Sequence, residues 1–153
     1  MAEKEFSIVI DRPADDILEF ILDVEAYREV DPRLSSIRWV RRAQGCTVFQ
    51  FRPQLMGLPA PLSTQMVVRR GTKVDITALP SRNDWMAHFV GSLGCVERPQ
   101  GTTVTRTLRF DLAPVLAPVL DGRLTRWLER DVPAEMSRLK ACLEGADRKR
   151  TAP

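Results

Sequence analysis

Apolar residues change their spacing twice along the chain and divide it into three stretches. Residues 5–10, "EFSIVI", alternate Phe6, Ile8 and Ile10 with polar neighbours, the period of a strand with one buried face. "DRPADD" then predicts a helix start, with Pro13 at the first helical position and Asp15 and Asp16 at the positive end of the helix dipole. Ile17, Phe20, Ile21 and Val24 follow on one helical face, "VEAYREV" continues as a short second helix, and Asp31-Pro32 ends it. From residue 36 to 112 the period is 2, with candidate strands at 36–42, 46–53, 61–69, 73–79, 85–97 and 103–112. "AQG", "RRG", "PSRND" and "RPQG" separate strands as turns, and connections this short predict a sequential antiparallel meander.

The third stretch is helical again. Leu120, Leu124, Trp127, Leu128, Met136, Leu139 and Leu143 keep a 3.6-residue period, and Pro133 is expected to kink the helix. The predicted order is strand, two short helices, six strands and one long helix, an α+β chain. A single helix cannot cover seven strands edge to edge. A sheet curled around it leaves a concave apolar space, the kind of place where small molecules bind. The longest break, "PQLMGLPAP" at 53–61, either packs onto its own hairpin or forms a flap over the entrance to that space.

One strand residue breaks the pattern. In "VTRTLRF" (104–110), Arg106 shares the apolar phase of Val104, Leu108 and Phe110, so a guanidinium is aimed at the sheet's hydrophobic side. A buried guanidinium needs a partner. Glu135 falls on the inward stripe of the last helix, between Leu128 and Leu139, and is the expected carboxylate. A polar head group of a ligand is the other candidate. The expected cavity lies against helix 120–144, with Trp39, Phe89, Leu93, Leu108, Leu128 and Met136 as apolar lining and Arg106 and Glu135 as its polar groups. His88 alternates with Phe89 and is expected on the solvent side, as is Arg52 at a strand end.

Composition narrows the function classes. The 153 residues, 44% hydrophobic and 28% charged, suit one globular domain, expected at 1–145. Residues 146–153, "ADRKRTAP", carry almost no apolar surface and are expected to form a flexible basic tail. A single histidine and three scattered cysteines (Cys46, Cys95, Cys142) offer no metal-ligand spacing, and no cofactor motif is present. The net charge of +3 comes from arginine clusters read as solvated strand ends. With one tyrosine in the chain, they lack the interleaved aromatics of a nucleic-acid surface. No apolar run is long enough to span a membrane, and "MAEKEF" lacks a signal-peptide stretch, so a soluble cytoplasmic protein is expected.

"SIVIDRPADDILEFILDVEAYREVDP", "GTTVTRTLRFDL" and "EMSRLKACLE", in that order over residues 5–145, resemble the START-like (SRPBCC) superfamily, and more narrowly its polyketide cyclase/dehydrase and lipid-transport group. The resemblance implies a helix-grip fold, a curved seven-stranded antiparallel sheet around the C-terminal helix, with a hydrophobic ligand cavity between them. Aromatic polyketide cyclases of that group carry a tyrosine after the second helix, an arginine in the strand after the long loop and an asparagine in the last helix. Here those positions match Leu34, a residue near Met66, and Glu135, and none retains the chemical group. Tyr27 stands where such proteins often have an aromatic residue, and Arg106 where they often have a large aromatic lining the cavity. The resemblance therefore implies binding of a lipid- or polyketide-like molecule without a cofactor. A cyclase or dehydratase is the alternative, with Arg106 orienting a carbonyl and Glu135 moving protons. An interaction protein docking through the 53–61 loop is the third.

Overall fold

The computed structural model describes residues 2–34, 36–80 and 87–151. Strand β1 (Ala2–Ile10) leads through α1 (Ala14–Leu22) and the one-turn α2 (Val24–Tyr27) to β2 (Ile37–Ala43) and β3 (Cys46–Phe51). Two short strands, β4 (Gln54–Leu55) and β5 (Leu58–Pro59), form a separate hairpin before β6 (Ser63–Arg70), β7 (Lys73–Ala78), β8 (Ala87–Arg98) and β9 (Gly101–Leu112). Helix α3 (Ala117–Thr151) ends the order and runs through Pro133 as one helix. The seven long strands form one antiparallel sheet in the order β1-β9-β8-β7-β6-β3-β2. The meander from β2 to β9 is sequential, and the first strand returns to flank the last. This is the helix-grip arrangement.

Strand β1 reaches further upstream than its apolar alternation suggests, because its backbone pairs along β9 from Ala2 opposite Phe110 to Ile10 opposite Thr102. Pro13 stands one place before the position the sequence suggests, at the N-cap of α1, where it offers no side-chain cap. The Glu97 carboxylate on β8 takes over that role and accepts from the Ala14 N–H at 2.9 Å. Thr102 Oγ1 donates to the Arg12 carbonyl at 2.6 Å, and Thr47 Oγ1 donates to the Leu22 carbonyl at 2.8 Å. These three bonds tie both ends of α1 to the sheet.

Two apolar clusters make up the core. One joins Ile17, Leu18 and Ile21 of α1 to Phe49, Leu93, Val104 and, on α3, Met136 and Leu139. The other joins Ala2, Leu108 and Phe110 to Leu124, Leu128 and Val132. The boundary falls at particular residues. Along β9, Arg106 separates Val104 of the first cluster from Leu108 of the second; along α3, Glu135 lies between Val132 and Met136. The polar pair marks the seam between the two clusters.

The 53–61 segment folds on itself. Leu55 pairs with Leu58 across a two-residue turn in which Met56 (φ 53°) and Gly57 (φ 77°) are both left-handed. Positive φ at both central positions is the type I′ pattern, which favours Asn-Gly and disfavours a bulky first residue. Met56→Asn should therefore raise stability by about 0.5–1 kcal/mol in urea denaturation. A loss of stability would show that packing of the Met56 side chain outweighs the backbone strain.

Candidate functional site

A cavity of about 310 Å³ opens between the sheet, the β4–β5 hairpin and the start of α3. Phe49 and Phe51 of β3, Val67 of β6 and Ile76 of β7 supply its sheet wall. Leu55, Met56 and Leu58 of the hairpin and Leu116, Leu120 and Leu124 from α3 and its approach close the other sides. Leu58 is 67% exposed, so the hairpin forms a rim as well as a wall. Its polar lining is Ser63 and Gln65 on β6 and a group of four others, Tyr27, Asp31, Arg33 and Arg106.

Those four meet around Glu135, which is 0% exposed. Tyr27 donates its hydroxyl to Glu135 Oε1 at 2.6 Å, and Arg33 donates through Nη2 to Glu135 Oε2. Arg33 also grips Asp31: its backbone N–H and Nε lie 3.0 and 2.8 Å from Oδ1, and Nη2 lies 3.2 Å from Oδ2. The Arg33 guanidinium sits 5.8 Å from the centre of the Trp127 ring, and its Nε lies 3.4 Å from Asp131 Oδ2. Arg106 is less well served. Its Nε is 3.5 Å from Glu135 Oε1, close enough for charge attraction, but neither Nε nor Nη1 has a hydrogen-bond partner. Arg33 Nη1 is likewise unpaired.

The electrostatics follow from burial and these partners. Burial alone would push the Asp31 carboxyl up, but the Arg33 charge and hydrogen bonds outweigh it and hold Asp31 below the usual carboxylate range. Burial also works against the charge on Arg33, yet Asp31 and Glu135 more than offset it and raise its pKa. Tyr27 is pushed well above the ordinary phenol value, first by burial and then by the Glu135 carboxylate. Asp131, half-buried, is raised by burial.

Space for the Arg106 guanidinium comes from Gly91 on β8. A Cβ there would lie 3.2 Å from Arg106 Nη1 and 3.1 Å from the Phe89 ring. Phe89 and Phe110, 4.9 Å apart between ring centres, line the wall next to it.

Of the residues the sequence nominates for the cavity, Phe89 and Arg106 line it. Glu135 lies behind the wall and touches the space through Tyr27 and Arg33. Leu93, Leu108, Leu128 and Met136 do face inward, but they are 0% exposed and packed into the two core clusters. The open space lies nearer the N-terminal end of α3 than these residues do. Trp39 is displaced for a different reason: a bulge between Ile37 and Trp39 shifts the register of β2 against β3. Ile37 and Val40 thereby pack on the core, while Trp39 is 37% exposed and carries Arg41 over its ring. Leu34 lines the cavity, whereas on β6 the cavity side holds Gln65 and Val67, with Met66 pointing away. His88 and Arg52 are exposed. Trp85, which the sequence suggests as core or cavity wall together with Trp39 and Trp127, lies outside the described residues. Tyr27 was visible in the sequence only as a family aromatic; Asp31 and Arg33 carried no assigned role. Among the described residues no group of three His, Cys, Asp or Glu side chains is placed to hold a metal ion, and no helix is long and apolar enough to cross a membrane.

A family model described as polyketide cyclase / dehydrase and lipid transport matches residues 1–144. The chain belongs to this family. No curated protein matches the sequence. Solved structures share its fold at low identity. The di-domain ARO/CYC StfQ from the steffimycin biosynthetic pathway superposes with a TM-score of 0.74 at 14% identity, over 95% of this chain and 51% of that one. The chain thus spans about half of that di-domain protein. The Zhui aromatase/cyclase from Streptomyces sp. R1128 gives 0.72 at 16% identity over 98% and 96% of the two chains. A START superfamily protein from Mycobacterium smegmatis gives 0.73 at 12% identity over 95% and 99%. The family membership and these neighbours establish a START-like ligand-binding fold of the polyketide cyclase/dehydrase type.

Two outcomes follow from the buried network. Glu135→Leu leaves Arg33 and Arg106 facing each other without their shared carboxylate and should cost about 3–5 kcal/mol in urea denaturation. Arg106→Met removes a charge that makes no hydrogen bond through Nε or Nη1 and should cost less than about 1 kcal/mol. Comparable losses from both substitutions would contradict this division of roles. Tyr27 is the single tyrosine of the chain, so tyrosinate absorbance near 295 nm reports it alone. In the folded protein it should titrate above pH 10, and in denaturant near 10. Between those values the unfolded chain releases a proton the folded one keeps, so stability falls as pH rises. A native midpoint at the denatured value would contradict the buried Tyr27–Glu135 bond.

Proposed function

We propose that this chain binds a hydrophobic small molecule, lipid- or polyketide-like, with its apolar body against Phe49, Phe51 and the β4–β5 hairpin and its polar end against Arg106. The observation that carries this reading is the contrast within one cavity. Its walls are largely apolar, yet they include Arg33 and Arg106, whose guanidiniums hold buried nitrogens with no hydrogen-bond acceptor. Unsatisfied buried donors are costly and uncommon in a packed interior, and an oxygen-bearing ligand end would satisfy them.

Binding is favoured over turnover by the state of Glu135. Both of its oxygens are engaged, by Tyr27 and Arg33, and it does not reach the cavity wall. A carboxylate so held is poorly placed to move protons on a ligand. Docking through the 53–61 segment has less support, because that hairpin turns Leu55, Met56 and Leu58 toward the cavity.

Nile red, an apolar dye with a carbonyl, provides the test. Saturable one-to-one binding in the micromolar range is expected. Ala78→Phe, which adds bulk at the cavity wall, should weaken it by about tenfold with little change in the urea midpoint. Non-saturable uptake, or binding indifferent to Ala78→Phe, would sink the proposal.

A further inference from the structure

The polar end of the cavity has a charge balance as well as a supply of donors, and the two together define the ligand more narrowly. Its inner charges are two guanidiniums, Arg33 and Arg106, and two carboxylates, Asp31 and Glu135, all four buried. Behind them the half-buried Asp131 faces Arg33, and Arg138 donates through Nε to the Val30 carbonyl at 2.7 Å. That outer pair is balanced as well, one acid against one base. The inner part of the cluster is short of hydrogen-bond acceptors rather than of charge, while Asp131 Oδ2 behind it is a buried acceptor without a hydrogen-bond partner. Nε and Nη1 of Arg106 and Nη1 of Arg33 are buried donors without partners, and the carboxylate oxygens of Asp31 and Glu135 are taken up by Arg33 and Tyr27.

We infer that the ligand's polar end is a neutral hydrogen-bond acceptor, a ketone, ester, lactone or amide carbonyl, and not a carboxylate, sulfate or phosphate. The inference rests on the binding reading above and makes it more specific. An anion placed on Arg106 would stand close to Glu135, whose Oε1 is already 3.5 Å from Arg106 Nε, and would add a third negative charge to a cluster with two positive ones. It would lose its hydration and find no net positive field in exchange. A carbonyl oxygen loses far less on leaving water, and at Arg106, which lines the cavity, it would meet a guanidinium that makes no hydrogen bond through Nε or Nη1. Gly91 leaves room for the guanidinium itself: a side chain at this position would press on Arg106 Nη1.

Ligands of equal chain length separate the two cases. Decan-2-one and decanoate are titrated by calorimetry at pH 7.5, where the acid is ionised. Decan-2-one should bind at least tenfold more tightly than decanoate. Arg106→Met should lower the affinity for decan-2-one, and because it leaves the inner cluster net negative it should not improve that for decanoate. Glu135→Gln, checked for folding by circular dichroism, removes one negative charge while keeping an amide oxygen, and should shift the ratio toward decanoate by about tenfold. If that variant does not fold, the ratio in the unaltered protein decides alone. Decanoate binding as tightly as decan-2-one, or more so, overturns this inference and leaves the cavity reading standing. Binding of neither overturns both.

Discussion

Glu135 is the constraint on which the arrangement depends. A carboxylate with no exposed surface, on a helix packed against a sheet, is tolerable only with cationic and hydroxyl partners that replace its lost water. Arg33 and Tyr27 meet that need, and in doing so they bring the end of α2 and the turn after it onto α3. Arg33 in turn requires Asp31, which fixes the turn itself. The polar cluster therefore runs between the two apolar clusters, and the cavity opens beside it. Arg106 stands beside the same carboxylate, but both oxygens are engaged by Tyr27 and Arg33, and its Nε and Nη1 have no hydrogen-bond partner.

Stability alone does not account for such a cluster. Replacing a buried ion network with well-packed apolar residues is often neutral or stabilising in comparable systems. A chain that needed only a core would gain nothing by placing a guanidinium between Val104 and Leu108. The same groups that neutralise one another leave buried donors without partners beside the cavity, which is what the proposed binding role would use.

The fold was legible because its signals are periodic and local. Alternation in β6, β7 and β9 and short turn segments place those strands within two residues of their observed ends, and the 3.6-residue stripe of α3 finds its start within three, although the helix continues to Thr151, past the last apolar residue of the stripe. Arg106 stood out for the same reason, as a charge in an apolar phase. What could not be read was geometry that depends on register or distance. The bulge in β2, which turns Trp39 outward, leaves no mark in its composition. Leu93 and Leu128 have the right phase but lie where the sheet and helix touch, and phase cannot say how deep a gap is. Asp31-Pro32 reads only as a helix stop, and Arg33 after it carries no signal of its own. The available signal was their spacing: in an extended turn, residues two apart point the same way, so an acid and a base there can pair. Their meeting with Glu135, 102 positions from Arg33, is a tertiary fact.

Family membership supplies the fold, and the buried cluster of Tyr27, Asp31, Arg33, Arg106 and Glu135 lies beside its cavity. The most direct test of the account is a crystal structure with decan-2-one bound. The expected result is a ketone oxygen within about 3 Å of Arg106 Nη1 or Nε, with the Arg33–Glu135 and Tyr27–Glu135 contacts intact. A ketone oxygen turned toward the β4–β5 rim, with Arg106 drawn into a hydrogen-bonded pair with Glu135, would contradict it.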